Sequence, residues 1–81
     1  MLTAAQCRAA RALLDWSQND LAKEAGISAV SLSAFERGGM IRKRNAINLQ
    51  TVLEAAGVEF ISENGGGPGV RLKKVARDRP G

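Results

Sequence analysis

Three consecutive basic residues, Arg42, Lys43 and Arg44, form the densest cluster of side chains in this sequence that could bind a ligand. Guanidinium and ammonium groups bind phosphate oxygens through charge-assisted hydrogen bonds. The cluster lies in the basic part of the chain, since residues 37–81 contain nine Lys and Arg against four Asp and Glu, whereas residues 1–36 contain three against four. This asymmetry, with a net charge of +4, favours a polyanionic partner.

Most of the chemistry that enzymes use has no candidate residues here. The 81 residues include no histidine and a single cysteine, Cys7, which excludes a disulfide within one chain and a metal site built from cysteine and histidine. Cys7 lies at helical spacing from Ala10 and Leu14, which favours a small core residue over a reactive thiol. We expect one small domain that holds no cofactor and is not an enzyme.

Residues 17–38, SQNDLAKEAGISAVSLSAFERG, predict two short helices joined by a tight turn. Ser17 and Ser28 are suited to cap these helices, because a serine hydroxyl accepts a hydrogen bond from an otherwise unpaired backbone N–H. Gly26 can adopt the positive φ that ends the first helix. The stretch therefore predicts a helix-turn-helix, an arrangement whose second helix enters the major groove of DNA.

The predicted second helix, about residues 29–37, has two different faces. At about 100° per residue, Leu32, Phe35 and Glu36 lie on or near the inward face. The outward face carries small side chains and one arginine, namely Val30, Ser33, Ala34 and Arg37, and Ala29 lies on its flank. Such a face lets a helix lie deep in a groove, where its alanines and valine contact thymine methyl groups and its arginine reaches a guanine or a phosphate.

The same stretch resembles the helix-turn-helix of the Cro and phage-repressor family, also called the xenobiotic-response-element family. The matching elements are Ser17-Gln18, Leu21-Ala22, Gly26-Ile27-Ser28, Leu32, Phe35 and Glu36-Arg37-Gly38. A looser resemblance extends over about residues 2–57. The outward face departs from the family pattern because it lacks the Asn or Gln that binds adenine in many members. Discrimination would then depend on methyl contacts, water and DNA shape.

The resemblance also implies roles for residues outside the outward face. Gln18, at the start of the first of the two helices, would contact a DNA phosphate, and the loop that carries the basic cluster would run along the DNA backbone. The alternative for both is an ordinary solvated surface. Arg11 and Glu36 would form a structural ion pair. The expected DNA-contacting residues are Gln18, Ser28, Ala29, Val30, Ser33, Ala34, Arg37, Arg42, Lys43 and Arg44.

The remaining sequence predicts two more helices and a hairpin. Thr3 can cap a first helix over about residues 4–15, and Asn45 can cap a fourth over about residues 46–56. Residues 58–61 and 70–75 have the pattern of short strands around a glycine-rich turn. The predicted fold is mainly α, a four-helix repressor-like helix-turn-helix domain with a C-terminal β-hairpin or strand extension.

We divide the chain into a DNA-binding domain at residues 1–57, with the helix-turn-helix at 17–37, a hairpin or dimerisation extension at 58–75 and a flexible tail at 76–81. Two strands alone are marginally stable, so the hairpin must pack on the helices or pair with another chain.

We expect a sequence-specific transcriptional regulator that binds double-stranded DNA as a homodimer on an inverted-repeat operator. The alternative is an antitoxin or adaptor that binds a partner protein, a toxin or co-regulator, and it would show a large apolar patch around Met40, Ile41 and Phe60. No apolar run approaches the roughly 20 residues that cross a bilayer, and the N-terminus lacks the pattern of a secretory signal. We therefore expect no membrane partner and a cytoplasmic, nucleoid-associated location.

Overall fold

A computed structural model of the protein describes residues 2–62 and 65–73. They form four helices and two strands: α1 at Ala4–Leu14, α2 at Gln18–Ala25, α3 at Ala29–Glu36, α4 at Lys43–Ala55, β1 at Val58–Ile61 and β2 at Gly69–Leu72. The fold is mainly α with a C-terminal hairpin, as predicted. The tail expected at residues 76–81 and the end of the strand expected at 70–75 lie outside the described residues. Each helix within the described ranges is too short or too polar to span a membrane.

The core lies between the helices and one face of the hairpin. The largest side chains without exposed surface are Leu21, Leu32, Leu49, Leu53, Val58 and Cys7. All four helices and β1 contribute to one buried cluster, and burial of a side chain such as leucine stabilises the fold by about 1.5–3 kcal/mol. Cys7 is therefore a small core residue, as its spacing predicted.

The prediction that Asn45 caps the fourth helix was wrong, because α4 begins three residues before the expected position. Arg42 occupies the N-cap with an extended backbone, at φ −66° and ψ 142°. Its carbonyl oxygen accepts the first helical hydrogen bond from the Ala46 N–H, at 3.0 Å. Lysine and arginine are good helix formers, and Ile41 packs against the core directly ahead of the helix. The basic cluster is thus the N-cap and first turn of α4 rather than a loop.

The hairpin forms within one chain and packs on the helices. Its strands are antiparallel, with Val58 opposite Leu72 and Phe60 opposite Val70. Val58 is fully buried, and Phe60 and Val70 pack against the core. Of the two expected ways to stabilise the hairpin, packing on the helices or pairing with another chain, the structure therefore shows the first.

A side chain of α1 fastens the hairpin at its turn end. Gln6 and Thr3 form a reciprocal cap in which each accepts a hydrogen bond from the other's backbone N–H, both at 3.0 Å. The Gln6 Nε2 group also donates to the carbonyls of Gly69, at 3.0 Å, and Ile61, at 3.4 Å. Since Gln6 is only 6% exposed, one buried amide both caps α1 and holds the two strands.

Candidate nucleic-acid interface

A three-residue turn, residues 26–28, joins α2 to α3. Ser17 caps α2 by accepting from the Asp20 N–H, and its own N–H donates to Asp20 Oδ2, both at 3.0 Å. Hydrogen bonding from the Ser17 backbone N–H, and then from the Ser17 side chain, holds the pKa of the Asp20 carboxyl below its ordinary value. Gly26 ends the helix at φ 70°, a left-handed conformation that glycine adopts without steric cost. Local hydrogen bonds and one glycine therefore set the angle at which α3 leaves the turn.

Ser28 caps α3 with both functions of its hydroxyl group. The oxygen accepts from the Ser31 N–H at 3.0 Å and donates its proton to Ser31 Oγ at 2.9 Å. A hydroxyl has one proton and two acceptor sites. The cap thus engages the proton and one acceptor site of the Ser28 hydroxyl and leaves a second acceptor site, which can accept a hydrogen bond from a base amino group.

The outward face of α3 is open to solvent along its length. Val30 is 80% exposed, Arg37 is exposed, and Ala29, Ser33 and Ala34 are partly exposed. All of them except Ala34 line an open concavity of about 300 Å³. The opposite face is buried in the core, so α3 presents one surface to the domain and the other to solvent.

Arg37 folds back along this face. Its Nη1 donates to Ser33 Oγ at 2.7 Å. Arg37 is the C-cap residue, one position after the last residue of α3, so its guanidinium returns by about one helical turn, or about 5.4 Å. The cation of the outward face therefore lies beside a hydroxyl in the second half of the helix.

One buried carboxylate joins α3 to α1 and α2. Oε1 of Glu36 accepts from Arg11 Nη2 at 2.7 Å and from Gln18 Nε2 at 2.9 Å. Oε2 accepts from Arg11 Nε at 2.9 Å and from Cys7 Sγ at 3.0 Å. Arg11 also donates from Nη1 to the Trp16 carbonyl at 3.1 Å, just before α2 begins. The Arg11–Glu36 ion pair thus lies at the centre of a network that includes Gln18 and Cys7.

The two acidic groups of this network, the Glu36 carboxyl and the Cys7 thiol, have pKa values shifted in opposite directions. Burial raises the pKa of Glu36, but hydrogen bonds from Arg11, Gln18 and Cys7 outweigh that effect, so the pKa lies below its ordinary value. Burial first, and then the Glu36 carboxylate, raise the pKa of the Cys7 thiol. The thiol therefore stays protonated and donates to an ionised carboxylate. A buried, protonated thiol is a poor nucleophile.

Arg8 holds the C-terminal end of α3. Its guanidinium donates to the backbone carbonyl of Glu36, one of the last carbonyls that have no partner within the helix. A cation at this end also complements the helix dipole. The roles of Arg8 and Cys7 at this end of α3 were not among the predictions from the sequence. The one available signal was their spacing with Arg11. Residues at i, i+1 and i+4 lie on adjacent faces of one helix, so the three side chains can reach the same neighbouring element.

Gln18 and the basic cluster lie at the starts of two helices. Gln18 is the first residue of α2, is partly buried, and donates one hydrogen bond from its Nε2 group to Glu36. Arg42, Lys43 and Arg44 are exposed at the start of α4, which has no acidic residue in its first turn and no side-chain cap among the described residues. Unpaired backbone N–H groups and three cations coincide there, and such helix termini bind phosphate readily.

The apolar patch that a protein-binding adaptor would require is not continuous in the part of the chain that the structure describes. Met40 is 94% exposed. Ile41 and Phe60, in contrast, are partly buried and pack against the core. Two of the three residues expected to form the patch are therefore engaged within the domain.

Comparison with known protein families gives a match over most of the described helices. A family model described as Helix-turn-helix matches residues 8–60, which include all of α2, α3 and α4 and most of α1. The match covers more than half of the chain. None of the curated proteins compared with this sequence matches it.

Proposed function

Because this chain belongs to the helix-turn-helix family of the Cro and phage-repressor type, a family of DNA-binding regulators, we propose that it is a sequence-specific transcriptional regulator of double-stranded DNA. The observation that carries the proposal is the outward face of α3, which is exposed and free of acidic side chains while the opposite face is fixed by Glu36. The family is not an enzymatic one, and we propose no catalytic activity for this chain. Its location would be cytoplasmic and nucleoid-associated.

Base contacts in this proposal come from α3 lying in the major groove. The exposed side chain of Val30, with Ala29 and Ala34 beside it, is suited to thymine methyl groups. Ser33 and Arg37 supply hydrogen-bond donors for guanine or phosphate. Ser28, at the N-terminal end of the helix, would accept from an adenine or cytosine amino group.

Phosphate contacts come from the starts of α2 and α4. Gln18 retains a second amide proton and the unpaired N–H groups of the first helical turn beside it. The basic cluster offers three exposed cations at a helix N-terminus. These contacts would fix the register of α3 in the groove without reading sequence.

A two-fold dimer would place two copies of α3 about 34 Å apart, one turn of DNA, and would bind an inverted repeat. Small domains of this size read few base pairs each, so a second copy increases the length of the recognised site. The antitoxin or adaptor alternative is less well supported, because only Met40 of its expected patch is well exposed.

Selection of bound duplexes from a randomised library, at near-physiological salt, tests the proposal. We expect enrichment of an inverted repeat with half-sites about ten base pairs apart. If each half-site neutralises about three to five phosphates, the slope of log affinity against log salt is about −5 to −9 for the dimer. Absence of any enriched sequence, or a flat salt dependence, would contradict the proposal and favour a protein partner.

A further inference from the structure

We propose that the cavity between the N-terminal end of α1, the second half of α4 and the hairpin binds a small organic ammonium ion. The cavity has a volume of about 330 Å³, which lies within the range of small-molecule sites. At about 30 Å³ for each water-sized group, it has room for roughly ten non-hydrogen atoms. It shares no residue with the outward face of α3 or with the basic cluster, so the inference goes beyond the proposed function and does not rest on it.

Apolar side chains line part of this cavity. Leu2 is buried, and Phe60 and Ile61 are partly buried. Such surface binds the hydrocarbon part of a ligand, because the contact removes apolar area from water. Phe60 is the one aromatic residue among the described residues that line the cavity, and the face of an aromatic ring attracts a cation. The lining therefore suits a ligand with an apolar body and a positive charge.

The charge of the lining comes from Glu54, the only residue with an ionised side chain among the described residues around the cavity. Its Oε2 accepts from Gln50 Nε2 at 3.1 Å. Its Oε1 has no hydrogen-bond or ion-pair partner within the described ranges. An ionised carboxylate accepts hydrogen bonds and cannot donate them. A ligand that pairs with Oε1 must therefore bring a donor, and a cationic N–H group forms the stronger, charge-assisted bond.

Two glutamines add acceptor oxygens to the same cavity. Gln6 uses both protons of its amide group on two carbonyls of the hairpin. Its Oε1, which accepts from the Thr3 N–H, keeps one acceptor site. Gln50 donates one amide proton to Glu54 and has an Oε1 without a partner in the described chain. An ammonium group has three donors and no acceptor, which matches these three side-chain oxygens.

The overall charge of the chain opposes non-specific binding of such a ligand. With a net charge of +4, the protein as a whole repels an ammonium ion. Saturable binding would therefore come from a local set of acceptors. The basic cluster is remote from this set, since Lys43 and Glu54 are about 16 Å apart along α4.

An NMR titration of the full chain with 2-phenylethylamine tests the inference. This probe joins an aromatic body to a group that is an ammonium ion at neutral pH. We expect saturable shifts of the side-chain amide signals of Gln6 and Gln50 and of the backbone amide signals of Phe60 and Ile61. The expected Kd is about 10 mM or lower, the value that ordinary ligand efficiency gives for about nine non-hydrogen atoms. 2-Phenylethanol, a neutral probe of similar shape, should bind about tenfold more weakly or less.

Two variants connect the binding to the carboxylate. Glu54→Gln keeps the shape of the side chain and removes its charge, and it should weaken the binding of 2-phenylethylamine about tenfold. The matched control is Glu24→Gln, at an exposed acid on α2, which changes the net charge equally and should leave the affinity unchanged. Glu54 is exposed and its side chain makes one hydrogen bond within the described residues, so its replacement should not unfold the chain.

The inference is overturned if the shifts do not saturate, if they map to residues away from the cavity, or if the alcohol binds as tightly as the amine. Equal losses of affinity in Glu54→Gln and Glu24→Gln would also overturn it, because net charge alone would then explain the binding. None of these outcomes affects the proposed function, which the selection of DNA duplexes tests separately. A chain that binds the amine through Glu54 but selects no DNA sequence would refute the proposed function alone.

Discussion

Glu36 presents both carboxylate oxygens to Arg11, with Oε1 at 2.7 Å from Nη2 and Oε2 at 2.9 Å from Nε. Gln18 and Cys7 donate to the same two oxygens, so α1, α2 and α3 meet at one ionised group. Glu36 is the last residue of α3 and directly precedes Arg37. The group that anchors the helix in the domain is therefore adjacent in sequence to the arginine of the exposed outward face.

Arg11→Met should lower the free energy of unfolding by about 3–5 kcal/mol, because it leaves the Glu36 carboxylate, 2% exposed, buried without its cation. Methionine keeps most of the aliphatic stem, so little packing is lost. Urea unfolding at neutral pH measures the change. The control is Arg71→Met, which removes a similar bidentate pair with Glu59 at the surface and should cost less than about 1 kcal/mol. If both variants lost the same free energy of unfolding, burial would not make the Arg11–Glu36 pair more important for stability than the surface pair.

Acid should destabilise the fold through Glu36. A carboxyl group whose pKa is lowered by folding contributes stability that is fully present above its unfolded value, 4.5, and is lost as the pH falls through the folded value. We therefore expect the urea concentration at the unfolding midpoint to decrease as the pH is lowered below about 4.5. This decrease should be smaller in Glu36→Gln than in the unsubstituted protein. Asp20→Asn is the control, because Asp20 also has a lowered pKa but is exposed. A pH profile that is unchanged in Glu36→Gln would contradict the prediction.

The helix-turn-helix could be predicted because its signals are local. Ser17, Gly26 and Ser28 each act on backbone groups within about four residues, and all three occupy the predicted positions. The start of α4 could not be predicted in this way. Asn45 has the preferred side chain for a cap, but Ile41 packs against the core and the helix starts earlier. Tertiary packing therefore overrode a local preference of about 1 kcal/mol.

The side-chain network was only partly predictable, because its members are distant in sequence. The family resemblance implied Arg11 and Glu36 as a pair, but nothing local connects Cys7 to a residue 29 positions away. Gln6 bonds to a carbonyl 63 positions away. Such contacts arise from how α1 crosses α3 and the hairpin, and a sequence contains no periodic signal for that crossing.

Gln6→Glu should loosen the hairpin. The substitution keeps the size of the side chain and the acceptor for the Thr3 N–H, but it replaces the buried donor that faces the carbonyls of Gly69 and Ile61. We expect a loss of about 1–3 kcal/mol and faster amide exchange in β1 and β2 than in α2 and α3. The matched control is Gln50→Glu, at an exposed hydrogen bond to Glu54, with a cost of no more than about 0.5 kcal/mol. Uniform acceleration of exchange across all elements would indicate global destabilisation instead.

Lys43→Ala should weaken DNA binding without changing which sequence is preferred. A lysine that binds a phosphate carries no base information, so the affinities for the selected operator and for an unrelated duplex should fall by the same factor. The salt slope should fall in magnitude by about 0.9 for each phosphate that the variant no longer neutralises. Titrations over a range of salt concentrations measure both quantities.

The matched control for this variant is Lys73→Ala, because Lys73 is also exposed but lies at the other end of α4, where its N–H bonds to the Gly57 carbonyl at 2.8 Å. The 13 residues of α4 place the two lysines about 20 Å apart. A distant charge should leave the slope unchanged. Equal changes in both variants would mean that net charge alone attracts DNA, and a change of base preference in Lys43→Ala would place that side chain in the groove rather than on the backbone.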